Sequence, residues 1–406
     1  MFDVIIVGGG ASGLACGIEA ARRGKRCLIL EQKEKPGKKL YATGNGKCNF
    51  ANRNVEPAAF HTTGNPELLS EIVTRELCRQ TEEFFREMGI PSVERQGCLY
   101  PRSEQAASLV RAMEQVFLKE NGTILCNERV EDVTWDASGT VVTVLTKENH
   151  YRGKKLVLAA GGMAAPGLGS DGSGYTLAKA MGHTITRCVP ALCGLKCRER
   201  GWNRLQGVRA KGRVSLWQDR SSLAEDSGEI QFTQYGVSGI VIFNLSRYAG
   251  FGLSAKHKIT LAMDFFPDSS AKLLRHTLQQ MQADCGYRGI QDILSGFLPE
   301  KLAVFLIERA GIPGRLSCDS LTSEQLWTLV QICKATTIQI TGVNSFDQAQ
   351  VTAGGIPLKE IDLATMESKQ QPGCYLTGEL LDVDGICGGY NLMWAWETGR
   401  RAGRAI

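Results

Sequence analysis

A glycine-rich turn near the start of the chain constrains the fold more than any other feature of the sequence. Residues 4–7 form an apolar run with the composition of a buried parallel strand, and Gly8, Gly10 and Gly13 follow in G-x-G-x-x-G spacing. The first glycine permits a tight turn, the second lets the backbone approach a pyrophosphate, and the third allows close helix–strand packing. Residues 14–23 then have a helical pattern, whose start offers free N–H groups to phosphates.

The surroundings of this turn predict a dinucleotide site. A second apolar run, residues 27–30, ends in Glu31, a carboxylate that can accept hydrogen bonds from ribose hydroxyls. Strand, glycine turn, helix and acid occur together here, whereas a glycine-rich loop that only packs needs none of the other three. We therefore predict that Gly8, Gly10, Gly13 and Glu31 bind a dinucleotide.

Cysteine usage and charge argue against several other classes of protein. The 14 cysteines include no C-x-x-C pair, even in the closest group, Cys188, Cys193 and Cys197, so we predict reduced thiols and no metal site. No apolar run reaches transmembrane length, and the nucleotide motif occupies the place of a signal peptide, so we expect a cytoplasmic protein without a membrane partner. The net charge of +5 is mild and dispersed, which predicts no nucleic-acid partner.

Hydrophobic periodicity predicts a nucleotide domain in the first half of the chain. Residues 68–89 and 104–120 have helical spacing, and residues 123–146 are rich in β-forming residues. Residues 155–162 form a buried strand that ends in paired glycines. In a doubly wound sheet such a strand brings another loop to the ligand at the carboxyl edge.

The pattern changes after about residue 190, which predicts an insertion. Residues 192–263 contain short alternating stretches typical of an antiparallel barrel or sandwich, residues 269–334 are helical by pattern, and residues 337–353 return to β character. We predict a nucleotide domain of residues 1–190 and 350–406. Its insertion is a β domain of residues 191–268 and 335–349, which carries a helical subdomain of residues 269–334.

The end of the chain holds a second strong signal. Residues 373–385 read as a strand and a glycine–acid turn, and Gly388 and Gly389 precede an amphipathic helix. This helix start supplies a second set of free N–H groups, although one nucleotide needs only one. A flavin would use the second set, because its pyrimidine edge carries carbonyls that need donors. The alternative is a helix start with a structural role only.

The chain resembles, essentially from end to end, the flavoprotein family that includes YhiN, the aminoacetone oxidases and the bile-acid-pathway flavoprotein BaiN. Four segments carry the resemblance. The segments are GKKLYATGNGKCN (37–49), GEIQFTQYGVSG (228–239), VTAGGI (351–356) and the run from GELLDVDG to GGYNL (378–392). The resemblance implies an α/β fold, in which a Rossmann-like FAD-binding domain contains an inserted β-barrel domain that itself carries a helical subdomain.

The resemblance also implies which residues of this chain bind FAD. Those at the phosphates and the adenosine would be Ala11, Ser12, Gly13, Glu31, Lys38, Lys39 and Val130, the last through its backbone to adenine. Those along the dinucleotide and the ribityl chain would be Ala160, Gly161, Glu379 and Asp382. Those at the edge of the flavin ring would be Gly389, Asn391 and Leu392.

Three positions depart from the pattern of the family. Gln234 stands where the family has a histidine, Ile240 where proline is usual, and Lys47 where arginine is usual. Gln234 cannot carry a proton as histidine does, and Lys47 keeps the charge without bidentate recognition. We therefore expect this chain to differ from some relatives in substrate or mechanism.

Among flavin chemistries, the sequence disfavours disulfide reduction. Cys48 lies in a plausible region, but Arg53 occupies the position where a second cysteine would be needed, so Cys48 is interpreted as a buried small residue. Residues 158–174 lack the spacing of a second nucleotide motif, so the sequence predicts no separate NAD(P)H-binding domain. NAD(P)H could still reduce the flavin by docking on it transiently.

Reduction or oxidation of a carbon substrate is the favoured chemistry. Residues 169–182 resemble the Gly-Asp-Gly-x-x-x-x-Ala segment of fumarate reductase and ketosteroid dehydrogenase flavoproteins, which add or remove hydrogen across a carbon–carbon bond next to a carbonyl. That reaction needs a proton donor. Tyr235 and Tyr390 are the candidates, and a structural role is the alternative for each.

The sequence therefore predicts an FAD enzyme that uses NAD(P)H to reduce a conjugated carbon–carbon double bond in a small molecule. Resemblance to the bile-acid-pathway member suggests a 3-oxo-Δ4 or Δ4,6 bile acid or a steroid-like substrate. One alternative is an oxidase or dehydrogenase of a small amine or ketone such as aminoacetone. Another is an RNA-associated flavoprotein, which would need a basic stripe with interleaved aromatic residues that residues 269–334 do not contain.

Overall fold

The structure, a computed structural model, describes residues 1–406 as two units, Met1–Val189 with Phe346–Ile406, and Pro190–Ser345. The strands are β1 (Phe2–Val7), β2 (Cys27–Glu31), β3 (Ala51–Asn52), β4 (Phe60–His61), β5 (Ser92–Arg95), β6 (Cys98–Pro101), β7 (Thr123–Cys126), β8 (Val130–Trp135), β9 (Val142–Thr146), β10 (His150–Leu158), β11 (Val189–Ala191), β12 (Leu195–Cys197), β13 (Arg209–Gln218), β14 (Ser221–Thr233), β15 (Gly236–Ser238), β16 (Ile259–Asp264), β17 (Thr336–Val343), β18 (Val351–Ala353), β19 (Cys374–Leu376) and β20 (Asp384–Gly385). The helices are α1 (Ala11–Ala21), α2 (Lys38–Ala42), α3 (Leu77–Glu87), α4 (Ala106–Lys119), α5 (Ser173–Ala180), α6 (Ile240–Ser254), α7 (Ala271–Cys285), α8 (Ile290–Leu294), α9 (Glu300–Arg309), α10 (Ser323–Lys334) and α11 (Tyr390–Ala405).

A seven-stranded sheet organises the first unit. Its order is β7-β2-β1-β10-β9-β8, and β19 pairs with the second half of β10, while β9 pairs with the first half. Strands β7, β2, β1, β10 and β19 are parallel, so their carboxyl ends lie at one edge. Ligands of open parallel sheets bind at this edge. The topology therefore brings together the loops after β1, β2, β10 and β19, although β19 lies more than 200 residues after β10 in the chain.

Two helices from opposite ends of the chain pack backbone to backbone in this unit. A Cβ added at Gly399 of α11 would lie 2.2 Å from the carbonyl oxygen of Ser12 in α1, and one added at Gly403 would lie 2.4 Å from that of Cys16. A buried ion pair, Arg400 Nε to Glu19 Oε1 at 3.0 Å, joins the same helices. The starts of α1 and α11 are thus fixed relative to each other.

A buried polar cluster anchors the segment after α5. His183 Nδ1 lies 2.8 Å from Glu360 Oε2, and its Nε2 lies 2.8 Å from Ser368 Oγ. Thr184 donates to the same carboxylate through its backbone N–H and its hydroxyl. Burial opposes ionisation of Glu360, but the hydrogen bonds from Thr184 and His183 outweigh it and hold the pKa of this carboxyl below 4.5.

This cluster predicts an acid-labile contribution to stability. Because the pKa of Glu360 is lowered in the folded state, the stabilisation is present above the unfolded pKa and is lost as pH falls through the folded value. We expect Glu360→Gln to destabilise the protein by about 1–3 kcal/mol at pH 7, and the difference from wild type to shrink below pH 4.5. Thermal unfolding from pH 7 to pH 3 measures this, with the exposed Glu148→Gln as control. A difference that stays constant with pH contradicts it.

The second unit contains a closed barrel with the strand order β12-β15-β14-β13-β16-β17. Helices α7, α8, α9 and α10 all lie between β16 and β17 in sequence, and their apolar faces share one core with the barrel. The predicted fold class is confirmed: a Rossmann-like domain with an inserted barrel that carries helices. The three-part domain boundaries given above stay a prediction.

Two local predictions were wrong. Residues 68–89 do not form one helix, because a 3-10 turn at Pro66–Glu71 is separated from α3 by the β-branched residues Ile72, Val73 and Thr74, which disfavour a helix. The β-type region 192–263 contains α6, whose first residues are also apolar and partly β-branched. In α6 burial on most sides of the helix overrides this local preference.

None of the helices combines the length and the apolar character that crossing a lipid bilayer requires.

All 14 cysteines are free, which agrees with the predicted reduced thiols.

Candidate functional site

The glycine-rich turn between β1 and α1 has two glycines that packing requires and one that it does not. A Cβ added at Gly8 (φ 105°) would lie 2.5 Å from the Ala159 carbonyl oxygen, and one at Gly13 would lie 2.0 Å from that of Gly8. A Cβ at Gly10 would meet nothing within 4 Å. Gly10 also precedes α1 without a side-chain cap, so the first N–H groups of α1, including those of Ala11 and Ser12, remain available. The turn therefore presents donors beside open space.

Glu31 lies next to this turn and is held by backbone donors. Its Oε2 accepts from Gly9 N–H at 2.9 Å, and its Oε1 accepts from Lys33 N–H at 2.8 Å. Burial raises the pKa of Glu31, and these backbone hydrogen bonds offset the rise only in part. Each carboxylate oxygen retains a second lone pair, so both can also accept from ribose hydroxyls.

The raised pKa of Glu31 predicts that FAD binding depends on pH. Hydrogen bonds from ribose hydroxyls favour the ionised carboxylate. The pKa of Glu31 is raised above 4.5, so lowering the pH through this pKa protonates Glu31 and weakens FAD binding. Glu31→Gln places an amide where Gly9 N–H and Lys33 N–H need acceptors, and we expect roughly tenfold weaker FAD binding at pH 7. Fluorescence titration of the apoprotein between pH 8 and pH 4 measures both effects, with Glu148→Gln as control. Affinity that is flat over this range would count against the assignment.

Val130 lies close to Glu31 through the backbone. Glu128 N–H donates to the Glu31 carbonyl at 2.9 Å, and Val130 begins β8 two residues later with its side chain buried. Arg129 binds both Gln32 (2.8 Å) and Asp171 (2.6 Å). The resemblance-based site residues Glu31 and Val130 are thus neighbours, and the loop after β10 lies against them.

Lys39 and Glu379 bind each other. Lys39 Nζ lies 2.8 Å from Glu379 Oε2, whose other oxygen accepts from Thr352 N–H at 2.9 Å. A Cβ at Gly162 would lie 2.8 Å from Glu379 Oε1, so the turn that begins with Ala160 and Gly161 reaches the same place. Lys38, in contrast, pairs with Glu34 on the surface at 3.0 Å.

Asp382 has a different environment from the one its predicted role suggests. Its side chain is fully buried, and its Oδ2 accepts from Thr63 N–H at 3.1 Å and from Thr62 Oγ1 at 3.3 Å. These bonds attach the segment after β19 to the loop after β4. The direct contact of Asp382 with FAD stays a prediction, and the structure gives the carboxylate protein partners.

The start of α11 lies at the end of this series of residues. Gly389 (φ 94°) precedes α11 without a side-chain cap, so the N–H groups of Tyr390, Asn391 and Leu392 have no intrahelical partner. The Asn391 side chain is already used, because its amide both donates to and accepts from the backbone of Gly385 at 2.8 Å. Its predicted contact with the ring edge is therefore left to its backbone N–H.

The residues present fit FAD. Helices α1 and α11 both begin without a side-chain cap, and Gly399 of α11 lies against Ser12 in the first turn of α1. The start of α11, at Gly389, lies ten residues before this contact, which is about 15 Å along the helix. Glu31 and Glu379 add two carboxylates, and a carboxylate accepts hydrogen bonds from hydroxyl groups such as those of the ribose and ribityl parts of FAD. A mononucleotide would leave the start of α11 unused, whereas a dinucleotide with a flavin at one end engages both.

The two candidate proton donors differ in their surroundings. Tyr390 is buried, its hydroxyl donates to the Asn54 carbonyl at 3.4 Å, and burial raises the pKa of its phenol. Tyr235 belongs to the second unit, is 37% exposed, and its hydroxyl lies 2.6 Å from the position of a Cβ on Gly194. The Asn344 amide lies 3.1 Å from the same position. Tyr235 is therefore the more exposed residue of the two, although its hydroxyl lies against Gly194.

Cys48 is unsuited to thiol chemistry. Burial raises the pKa of its thiol to about 12, so it carries no thiolate at neutral pH. This agrees with its interpretation as a buried small residue.

Three residues near the proposed cofactor were not singled out from the sequence. Thr352 accepts from Met163 N–H at 2.7 Å and donates its own N–H to Glu379, and Asn52 donates to the Gly388 carbonyl at 2.9 Å. Asn49 lies against Gly389. All three fall in or beside the glycine-containing segments that carried the resemblance, so proximity to those glycines was the available signal.

These features define an FAD-binding fold of the Rossmann type with an inserted barrel. Residues 2–405 match the family described as HI0933-like protein Rossmann domain, and the chain belongs to that family. It is 41% identical over 402 residues to the 3-dehydro-bile acid Δ(4,6)-reductase of Clostridium scindens, covering 98% of both chains. It is 28% identical over 403 residues to the ribosomal RNA dihydrouridine synthase of Escherichia coli, covering 98% of this chain and 96% of that protein.

A solved structure has the same overall fold. The 3-ketosteroid-Δ4-(5α)-dehydrogenase of Rhodococcus jostii RHA1, in complex with 4-androstene-3,17-dione, matches 100% of this chain and 96% of its own with a TM-score of 0.50 and 15% identity. At this identity the match supports the fold alone.

Proposed function

We propose that the protein is an FAD-dependent oxidoreductase that reduces a carbon–carbon double bond conjugated to a carbonyl, with a 3-oxo-Δ4 or Δ4,6 bile acid as substrate. The observation that carries the proposal is the 41% identity to a bile acid Δ(4,6)-reductase over nearly the whole of both chains. The two uncapped helix starts and the carboxylates of Glu31 and Glu379 support the cofactor.

The reaction adds one hydride to the β-carbon and one proton to the α-carbon of the substrate, with NAD(P)H as the proposed source of the two electrons. FAD, when bound, supplies the hydride. The protein then has to supply the proton and to hold it at a defined position. We assign this role to Tyr235, because this residue is 37% exposed whereas Tyr390 is buried with its hydroxyl against a carbonyl.

Tyr235→Phe tests the proton donor. Loss of a general acid lowers turnover by a factor of about 100 or more, and we expect kcat to fall by that amount while FAD binding is unchanged. Tyr287→Phe, at an 81% exposed tyrosine, is the matched control. If Tyr390→Phe lowers kcat more than Tyr235→Phe does, the role belongs to Tyr390.

The substrate is tested with purified holoprotein under anaerobic conditions. NADH or NADPH is added with a 3-oxo-4,6-diene bile acid, and mass spectrometry measures the product. The proposal predicts a product with two additional hydrogens per reduced bond. An unchanged bile acid would overturn the substrate assignment. Peroxide formation with aminoacetone would instead favour the small-amine oxidase.

A second candidate is reduction of uridine in ribosomal RNA, which is also hydrogenation of a double bond conjugated to a carbonyl. The 28% identity to a ribosomal RNA dihydrouridine synthase over nearly the full chain favours it. So does the charge of the second unit, where residues 190–345 contain 18 lysines and arginines against 13 aspartates and glutamates. Incubation of the reduced holoprotein with bulk ribosomal RNA, followed by nucleoside analysis, distinguishes the two, because only this candidate predicts dihydrouridine.

A further inference from the structure

A buried acceptor and unused donors lie side by side at the start of α11 without bonding to each other. The Oδ1 atom of Asn49 is buried and has no hydrogen-bond partner. It lies 2.8 Å from the position of a Cβ on Gly389, the residue that precedes α11. An asparagine oxygen so close to a helix start ordinarily caps it, yet α11 has no side-chain cap. A buried polar atom without a partner is costly, so this arrangement requires an explanation.

The backbone holds Asn49 in place. Cys48 N–H donates to Thr43 O at 3.1 Å, and Phe50 N–H donates to Leu99 O at 2.9 Å. The Phe50 carbonyl accepts from the indole of Trp396 in α11 at 3.1 Å. Cys48 has a positive φ of 58°, a strained conformation for a residue with a side chain. The loop is thus fixed on both sides of Asn49 and attached to α11.

The neighbouring carbonyl of Gly388 is already satisfied. The Asn52 amide donates to it at 2.9 Å. An acceptor without a partner, Asn49 Oδ1, thus lies beside the unpaired donors of the first turn of α11. Their complement is a planar edge on which a donor stands next to acceptors. The pyrimidine edge of a flavin has this pattern, with N3–H between the C2 and C4 carbonyls.

We propose that Asn49 positions the flavin ring by accepting a hydrogen bond from N3–H through Oδ1, while the start of α11 donates to the adjacent carbonyl. The hydrogen bond satisfies the buried oxygen and sets the rotation of the ring about its long axis. The proposal rests on FAD as the cofactor and is independent of which substrate is reduced.

The test compares FAD with 3-methyl-FAD, in which a methyl group replaces the N3 hydrogen. The wild-type apoprotein is expected to bind 3-methyl-FAD at least tenfold more weakly than FAD, because the analogue cannot donate and its methyl group meets Asn49. This arm needs no variant, so a folding defect cannot obscure it. Equal affinity for the two flavins would overturn the proposal.

Asn49→Ala provides the second arm. It is expected to bind FAD roughly tenfold more weakly than wild type and to discriminate less than threefold between the two flavins, since the acceptor and the steric barrier are both absent. Asn54→Ala, an exposed residue of the same region, should keep the wild-type affinities. An Asn49→Ala protein that retains wild-type discrimination overturns the proposal, whether or not its FAD affinity falls. A wild-type protein that binds neither flavin would refute FAD as the cofactor. This result differs from equal binding of the two flavins, which would refute only the role of Asn49.

Discussion

Gly10→Ala is expected to fold as the wild type does and to lose about 100-fold in FAD affinity. A Cβ at this position meets no atom of the protein within 4 Å, and the backbone φ of −81° suits alanine. The open space is the place where a pyrophosphate would approach the backbone, so the methyl group competes with the phosphate alone. A 100-fold loss corresponds to about 2.7 kcal/mol.

Thermal unfolding of the apoprotein and FAD titration of the same sample separate the two effects. Gly314→Ala in the second unit is the matched control, because a Cβ there also meets nothing closer than 3.6 Å. An unchanged FAD affinity in Gly10→Ala would show that the pyrophosphate does not lie at this turn. A large loss of apoprotein stability would show that the turn is packed more tightly than described.

Gly399→Ala is expected to destabilise the protein by about 3 kcal/mol or more and to weaken FAD binding as well. The new Cβ would lie 2.2 Å from the Ser12 carbonyl oxygen, so α11 must move away from α1. Since we propose that one FAD engages the uncapped starts of both helices, the displacement would separate the two groups of donors that it has to reach. Both stability and affinity therefore change together.

Ala405→Gly is the control for Gly399→Ala. It makes the reverse exchange on the same helix at an exposed position near its end, where we expect less than about 1 kcal/mol. Denaturant unfolding and FAD titration are the measurements. A Gly399→Ala protein that is as stable as wild type would contradict the backbone contact between α1 and α11.

The sequence was sufficient to predict the parts of the fold that follow local patterns. The run from β1 through the glycine turn and α1 to Glu31 was predicted because period, glycine spacing and the terminal acid all depend on neighbouring residues. The start of α11 was predicted for the same reason. Helix α6 was missed because its apolar, β-branched beginning resembles a strand, and only burial in the second unit decides between the two.

The candidate site was predictable in its membership more than in the roles of its side chains. Glu31 and Val130 are neighbours in the structure, and Lys39 binds Glu379, as residues of one site should. The side chains of Asn391 and Asp382, however, are bonded to Gly385 and to Thr62 and Thr63, which no local pattern indicates. Such pairings depend on the register of distant segments, so the sequence alone could not assign them.

The same limit explains why Asn49 was not identified. Within GKKLYATGNGKCN it is one polar residue among several, and its special feature is a buried oxygen that lies beside a helix start 340 residues later. A sequence motif indicates that this loop approaches a ligand, and only the fold shows which of its atoms lacks a partner.

The proposed function requires that reduced FAD on this protein transfers hydrogen to an enone. The most direct measurement is the anaerobic half-reaction, in which holoprotein reduced chemically, without NAD(P)H, is mixed with a 3-oxo-4,6-diene bile acid in a stopped-flow spectrometer. We expect the absorbance of oxidised flavin to return at a rate that rises with bile acid concentration, with one double bond reduced per flavin. Flavin that stays reduced in the presence of the enone, and reoxidises only when oxygen is admitted, would contradict it.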